Sequence, residues 1–208
     1  MERTPDRQSR LLDDAGRIEP PEALRRAWTV LRRWDRRSYS AVAAMSSPLL
    51  DQPMKLVSRV ADHSKPWIAT AALLAMFGGR AGRRAALTGM AAVAATSLVV
   101  NQPMKLAGAR RRPDRPALRV PSSRWIPMPA STSFPSGHAA SAAAFAVAVG
   151  DVLPRLRLPL RLAAAVVGFS RVYTGVHYPG DVVVGAVTGG LIGRSTAGIA
   201  AVRLARSN

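Results

Sequence analysis

Apolar stretches with basic edges recur along this 208-residue chain, and they restrict its fold more than any other feature. They run over residues 67–77, 85–100, 139–152, 162–169 and 182–192, and a weaker one, 38–62, is broken by Pro48, Asp51, Pro53 and Lys55. Each apolar core is shorter than the ~20 residues a helical span needs. Flanking Gly, Ser, Thr and Tyr lengthen the segments inside a bundle, and abundant Ala and Gly let helices approach closely in lipid. The chain carries a net charge of +18 while 48% of it is hydrophobic. A nucleic-acid-binding protein reaches such a charge without long apolar runs, so the partner expected is a membrane with anionic lipid, not nucleic acid. The expected fold is all-α: a membrane helix bundle of about five to six transmembrane helices, with residues 38–62 as a bent or re-entrant first span. The absence of Cys excludes a disulfide framework, a thiolate metal site and a Cys nucleophile.

Residues 1–37 differ from the rest. They are polar and rich in Arg, and they lack the apolar core of a secretory signal, so insertion is expected to rest on internal helices. A disordered start is expected, followed by a basic amphipathic helix over 22–37. Trp28, Leu31 and Trp34 lie at helical spacing there and suit an anchor on an anionic surface. Residues 38–208 then form the membrane domain. A two-copy similarity links Asp51–Leu56 with Asn101–Leu106, without a third copy to support a repeat architecture. Trp67 and Trp125 suit the membrane–water interface.

Three polar clusters edge the apolar segments: Lys105 to Arg112-Pro113; Pro135-Ser136-Gly137-His138; and Ser170-Arg171 followed by His177 and Asp181. Each alone has a bland explanation. Basic residues flank spans, Pro-Ser-Gly makes a turn and a helix cap, and His177 with Asp181 makes an i,i+4 pair. Jointly they say more, because ionisable residues near membrane depth are costly and serve function. Alternating helix directions bring the three clusters to one face. Lys105, Arg112 and Arg171 then form an anion site, the helix opening at Ser136 and Gly137 offers backbone N–H groups to a phosphate, and two His supply a nucleophile and an acid. No cluster of Asp, Glu and Cys suits a divalent metal, so neither a metal nor another cofactor is expected.

The pattern Lys105-X6-Arg112-Pro113, Pro135-Ser136-Gly137-His138 and Ser170-Arg171-X5-His177-X3-Asp181 resembles the type 2 phosphatidic acid phosphatase superfamily in order and spacing, over about residues 67–193. That superfamily includes lipid phosphate phosphatases, bacterial class A acid phosphatases and vanadium haloperoxidases. The resemblance implies that His177 attacks phosphorus, Asp181 orients it, and His138 protonates the leaving alkoxide. It also implies that Lys105, Arg112, Ser136, Gly137 and Arg171 hold the phosphoryl oxygens. Arg110 and Arg111 are either a basic flank or an aid to a second phosphate, and His63 is either an interfacial turn residue or a headgroup contact.

The expected activity is metal-independent hydrolysis of a lipid phosphate or diphosphate through a phosphohistidine. The alternative is a haloperoxidase-like or non-lipid acid phosphatase activity on the same site, which the repeated apolar segments disfavour. Candidate substrates are phosphatidic acid, phosphatidylglycerol phosphate, and polyprenyl phosphates or diphosphates. Residues 114–133 are expected to rest on the membrane surface beside the site. The short Arg-bearing turns 78–84 and 154–161 and the C-terminus suit the cytoplasmic side of a bacterial plasma membrane, with the N-terminus beside them if 38–62 crosses. The site then faces outward.

Overall fold

A computed structural model describes residues 22–45, 47–108 and 110–207. Two compact units divide the chain, Met1–Trp34 and Asp35–Asn208. In the first, residues 22–34 begin helix α1 (Glu22–Ala44), and Leu31 and Trp34 are exposed on it. The disordered start expected before residue 22 and the side chain of Trp28 lie outside the described residues.

The second unit is all-helical among its described residues. After the end of α1 come α2 (Pro48–Val60), a 3-10 turn Asp62–Ser64, α3 (Lys65–Phe77) and α4 (Gly79–Val99). A π-helical turn Val100–Met104 and the short helical piece Lys105–Gly108 lead into a long loop. Helices α5 (Gly137–Val152), α6 (Arg157–Tyr173) and α7 (Pro179–Ser207) complete the chain. The copies at 51–56 and 101–106 fall in different settings, the first inside α2 and the second in the π turn and the residues after it.

Helix α5 is the centre, packed against α4, α6 and α7. Its sequence is small and apolar on every side, the pattern of a helix with no solvated face, and Ala140, Ala142, Ala144 and Phe145 are fully buried. Helix α7 comes close through a stripe of glycines. A Cβ at Gly185, Gly189 or Gly193 would stand 2.4, 2.0 or 2.5 Å from the carbonyl oxygen of Ser136, Ala140 or Ala144. Trp67, expected at the membrane–water interface from its place at a segment end, lies in the core instead. It is buried and its ring lies 5.5 Å from that of Phe145, because α3 folds back on the bundle and turns it inward.

The segment 38–62 is not one continuous helix. Residues 38–44 finish α1, and both ends of α2 touch the last turn of α6. The Tyr173 hydroxyl donates to the Ser47 carbonyl at 3.0 Å and to Asp51 at 2.7 Å, while Arg171 donates to the Ser58 hydroxyl at 2.7 Å. Helix α2 therefore lies across one end of the bundle. Asp35 and Tyr39 lie at that same end, with Asp35 accepting from the Gly180 N–H at 2.7 Å and Tyr39 donating to the Gly175 carbonyl at 3.3 Å.

The loop 110–136 is fastened to the protein by buried side chains. Arg124 is 2% exposed, bonds Asp51 at 3.1 Å, and donates to the carbonyls of Val42 and Met45. Arg115 donates to the Ile126 carbonyl at 2.9 Å, and Val120 and Ile126 are buried. Of the residues expected at a membrane surface, Trp125 and Met128 are exposed.

Candidate active site

Helix ends converge where α2 crosses the bundle. Lys105 follows the π turn after α4, Arg112 enters from the loop, and Gly137 and His138 open α5. Arg171 closes α6, and His177 sits in the turn before α7. These six residues line one cavity of about 360 Å³, with His63, Ser97, Ser131 and Ser141 also on its wall.

His177 is held rigidly. Its backbone N–H and that of Val176 both donate to the Arg171 carbonyl, at 3.2 and 3.1 Å. Gly175 permits the turn with φ of 75°, and a Cβ there would meet the Arg115 side chain at 2.9 Å. The ring is 2% exposed by residue. Its Nε2 lies 3.2 Å from Arg112 Nη1, which can only donate, so Nε2 is an acceptor and the ring proton belongs on Nδ1. Nδ1 faces Asp181 Oδ2 at 3.5 Å, a contact longer than a hydrogen bond, and it has no hydrogen-bond partner among the described residues. Burial pushes the His177 ring down to about 4, with Arg112 and Arg171 reinforcing it against the opposing pull of Asp181. The ring is therefore neutral at neutral pH, with its Nε2 lone pair on the Arg112 side.

Asp181 is fully buried behind it, accepting from the Tyr178 N–H at 2.9 Å, from the Ser133 hydroxyl and from Arg110 at 2.8 Å. Arg110 also bonds Asp35 at 2.5 Å and lies over the Tyr178 ring at 3.9 Å. It is neither a free basic flank nor part of the cavity wall; Arg111 is exposed.

The cations are positioned by the loop and by α2. Arg112 donates to the carbonyls of Ser131 and Val176, each at 2.8 Å, and Lys105 Nζ bonds the Ser131 hydroxyl at 3.0 Å. Burial and the neighbouring Arg112 hold the Lys105 amine below its ordinary value. Arg171 is 1% exposed, and its Nε has no hydrogen-bond partner among the described residues. A buried guanidinium with unspent donors beside a cationic cavity is suited to an anion with several oxygens.

Ser136 is fully buried and does not line the cavity. Its hydroxyl caps α5 by accepting from the Ala139 N–H at 3.5 Å, and its own N–H donates to the Asp181 carbonyl at 2.9 Å. Gly137 does line the cavity. Two residues escaped the sequence reading. Ser131 lies in a Ser/Thr run that reads as loop, and Asp62, beside the noted His63, bonds His138 Nε2 at 2.8 Å.

Residues 85–203 match the family model described as the PAP2 superfamily. The decaprenylphosphoryl-5-phosphoribose phosphatase of Mycobacterium tuberculosis is 34% identical over 166 residues, 77% of this chain and 89% of that protein. An undecaprenyl-diphosphatase of Sulfolobus acidocaldarius is 33% identical over 129 residues, 61% of this chain and 59% of that one. Lipid A 1-phosphatase of Rhizobium etli is 42% identical over a shorter stretch of 65 residues, 31% of this chain and 28% of that one. The fold is shared with a transmembrane phosphatidylglycerolphosphate phosphatase of Bacillus subtilis, at a TM-score of 0.64 and 24% identity over 82% of this chain and 86% of that one. It is also shared with LpxE of Aquifex aeolicus, at 0.60 and 24% over 77% and 92%. The matched stretch holds the three sequence motifs from Lys105 to Asp181, and on that match and the mycobacterial relative the chain belongs to the PAP2 superfamily.

Proposed function

We propose that this chain is an integral-membrane phosphatase that hydrolyses a phosphate ester or diphosphate on a lipid through a phosphohistidine at His177, with no metal. The observation that carries this is the cavity itself: a neutral His177 Nε2, and Lys105, Arg112 and Arg171 around it. The nitrogen attacks phosphorus, and the cations take the charge that spreads over the phosphoryl oxygens, the task a metal performs elsewhere. Gly137 at the start of α5 adds a backbone donor, and Ser136 fixes that helix end to α7. Asp181 holds the proton side of His177. His138 protonates the departing oxygen and then activates the water that releases phosphate.

A lipid substrate is favoured by the apolar flanks of the bundle. Leu73, Phe77, Leu87, Leu98, Val187 and Leu191 are large apolar side chains exposed on α3, α4 and α7, a surface suited to acyl chains. Among the described residues one helix, Pro179–Arg203, is long and apolar enough to cross a membrane unaided, while Gly137–Val152 is apolar but shorter. In our reading α3 to α7 form five spans of the domain 38–208, α2 lies at the interface, and basic turns dilute the hydropathy of the others. The site faces outward, because Arg80, Arg83, Arg84, Arg155, Arg157 and Arg203 sit at the other end. Arg110, Arg112, Arg115 and Arg124 on the site side are engaged in the protein's own contacts. The relatives named for polyprenyl-linked phosphates support keeping such lipids beside phosphatidic acid and phosphatidylglycerol phosphate as candidate substrates.

The test is phosphate release by the purified protein from each of these lipids, with and without EDTA. Turnover of at least one lipid phosphate, unchanged by EDTA, is expected. Activity confined to water-soluble esters, or activity lost in EDTA and restored by Mg²⁺, contradicts the proposal.

A further inference from the structure

None of the residues lining the cavity is acidic, yet a carboxylate reaches His138 and Arg171 from outside the motifs. Asp62 Oδ1 lies 2.8 Å from His138 Nε2 and 3.9 Å from Arg171 Nη1. Its place is built, not incidental. Asp62 follows the last turn of α2, which Ser58 ties to Arg171, and it precedes His63 and Ser64, both with positive φ, of 56° and 58°. That reversal starts α3 and leaves the Asp62 side chain 44% exposed at the rim, where it takes the far nitrogen of His138.

The arrangement mirrors the other histidine. His177 turns Nδ1 to Asp181 and keeps Nε2 for phosphorus; His138 turns Nε2 to Asp62 and keeps Nδ1. We infer that Asp62 is a positioning residue that holds His138 by Nε2, so that the Nδ1 proton is the one delivered to the departing ester oxygen. The inference rests on the reading of His138 as proton donor. In that step His177 Nε2 forms the N–P bond while the P–O bond to the alkoxy group breaks. The Nδ1 proton of the His138 imidazolium passes to the ester oxygen, leaving a neutral imidazole whose Nε2–H still donates to Asp62. A charged His138 ring beside Lys105, Arg112 and Arg171 requires a counter-charge, and Asp62 is placed to supply it.

A proton donor matters only for a leaving group that needs a proton, which separates this role from a structural one. An alkoxide leaves poorly without protonation, whereas p-nitrophenoxide leaves readily. kcat/KM reports the steps through phosphoenzyme formation and is the quantity to compare. For dioctanoyl phosphatidate, Asp62→Asn should lower kcat/KM on the order of 10²-fold, the low end of what general acids contribute. For p-nitrophenyl phosphate the loss should be about 3-fold, and Asp62→Glu should recover most of the phosphatidate rate. Equal losses on both substrates, or no loss on phosphatidate, overturns the inference. His138→Asn is measured alongside. If it spares p-nitrophenyl phosphate while Asp62→Asn shows no such preference, Asp62 alone is misassigned. If His138→Asn shows no preference either, the reading of His138 as the acid falls.

Discussion

In the proposed mechanism the chemistry is decided at His177, where one side chain meets two opposing influences. Arg112 presents a donor to Nε2 at 3.2 Å, and Asp181 waits behind Nδ1. Asp181 in turn is shared with Arg110, whose guanidinium takes the other carboxylate oxygen at 2.8 Å. Arg110 draws the carboxylate's charge away from His177, and burial, the larger influence, keeps the ring neutral. Because the folded value of about 4 lies below the ordinary value of 6.5, the neutral nucleophile persists as pH falls from 7 to 5.5 and is lost only toward pH 4. Nitrogen-15 NMR of the three labelled histidines, assigned with His177→Ala, should find the His177 ring neutral at pH 5.5. Arg110→Gln, which removes the competing cation from Asp181, should move the titration upward. A wild-type imidazolium at pH 5.5, or no movement in Arg110→Gln, contradicts this account. The His177–Asp181 pair was legible because its members stand four positions apart, His177 in the turn and Asp181 in the first turn of α7. The partners Arg110 and Asp62 were not, because each crosses more than seventy positions, 71 to Asp181 and 76 to His138, and nothing local marks them.

At the scale of elements, the site depends on a clasp remote from phosphorus. Arg124 ties the loop to Asp51 of α2 and to the end of α1, and it lies over the Tyr173 ring at 4.2 Å. The same Asp51 accepts from Ser123 at 2.5 Å and from Tyr173 at 2.7 Å. Removing a buried charged partner leaves the other uncompensated, so Arg124→Ala should destabilise the protein by about 3–5 kcal/mol. Thermal unfolding in detergent checks this. A clear fall in Tm is expected for Arg124→Ala, and a smaller additional fall when Asp51→Ala is combined with it; an unchanged Tm would refute the clasp. The apolar runs at 85–100 and 139–152 predicted α4 and α5 well, since those runs are the buried faces. The full reach of α6 and α7 was not legible, because Arg157–Arg161 and the residues after Ile192 continue the helices without continuing the apolar pattern. The course of α2 was not legible either: its broken apolar pattern fits a re-entrant helix as well as one lying flat, and only the bonds from Ser47, Asp51 and Ser58 distinguish them.

For the whole molecule, the account requires a membrane with the cavity at its outer surface. The absence of Cys makes this testable with single-Cys variants. Arg83→Cys, Arg155→Cys and Ser122→Cys place thiols at exposed positions at the two ends of the bundle. In intact cells an impermeant maleimide should label position 122 alone, and labelling at 83 or 155 with none at 122 would invert the orientation. The central claim is covalent catalysis by His177, and rapid-quench labelling with radioactive lipid phosphate tests it most directly. Wild-type protein, in EDTA, should yield an acid-labile, base-stable phosphoenzyme that forms and decays at rates compatible with turnover, and His177→Ala should yield none and turn over no substrate. Phosphate release at the wild-type rate by His177→Ala, or a phosphoenzyme that survives that substitution, would contradict the account.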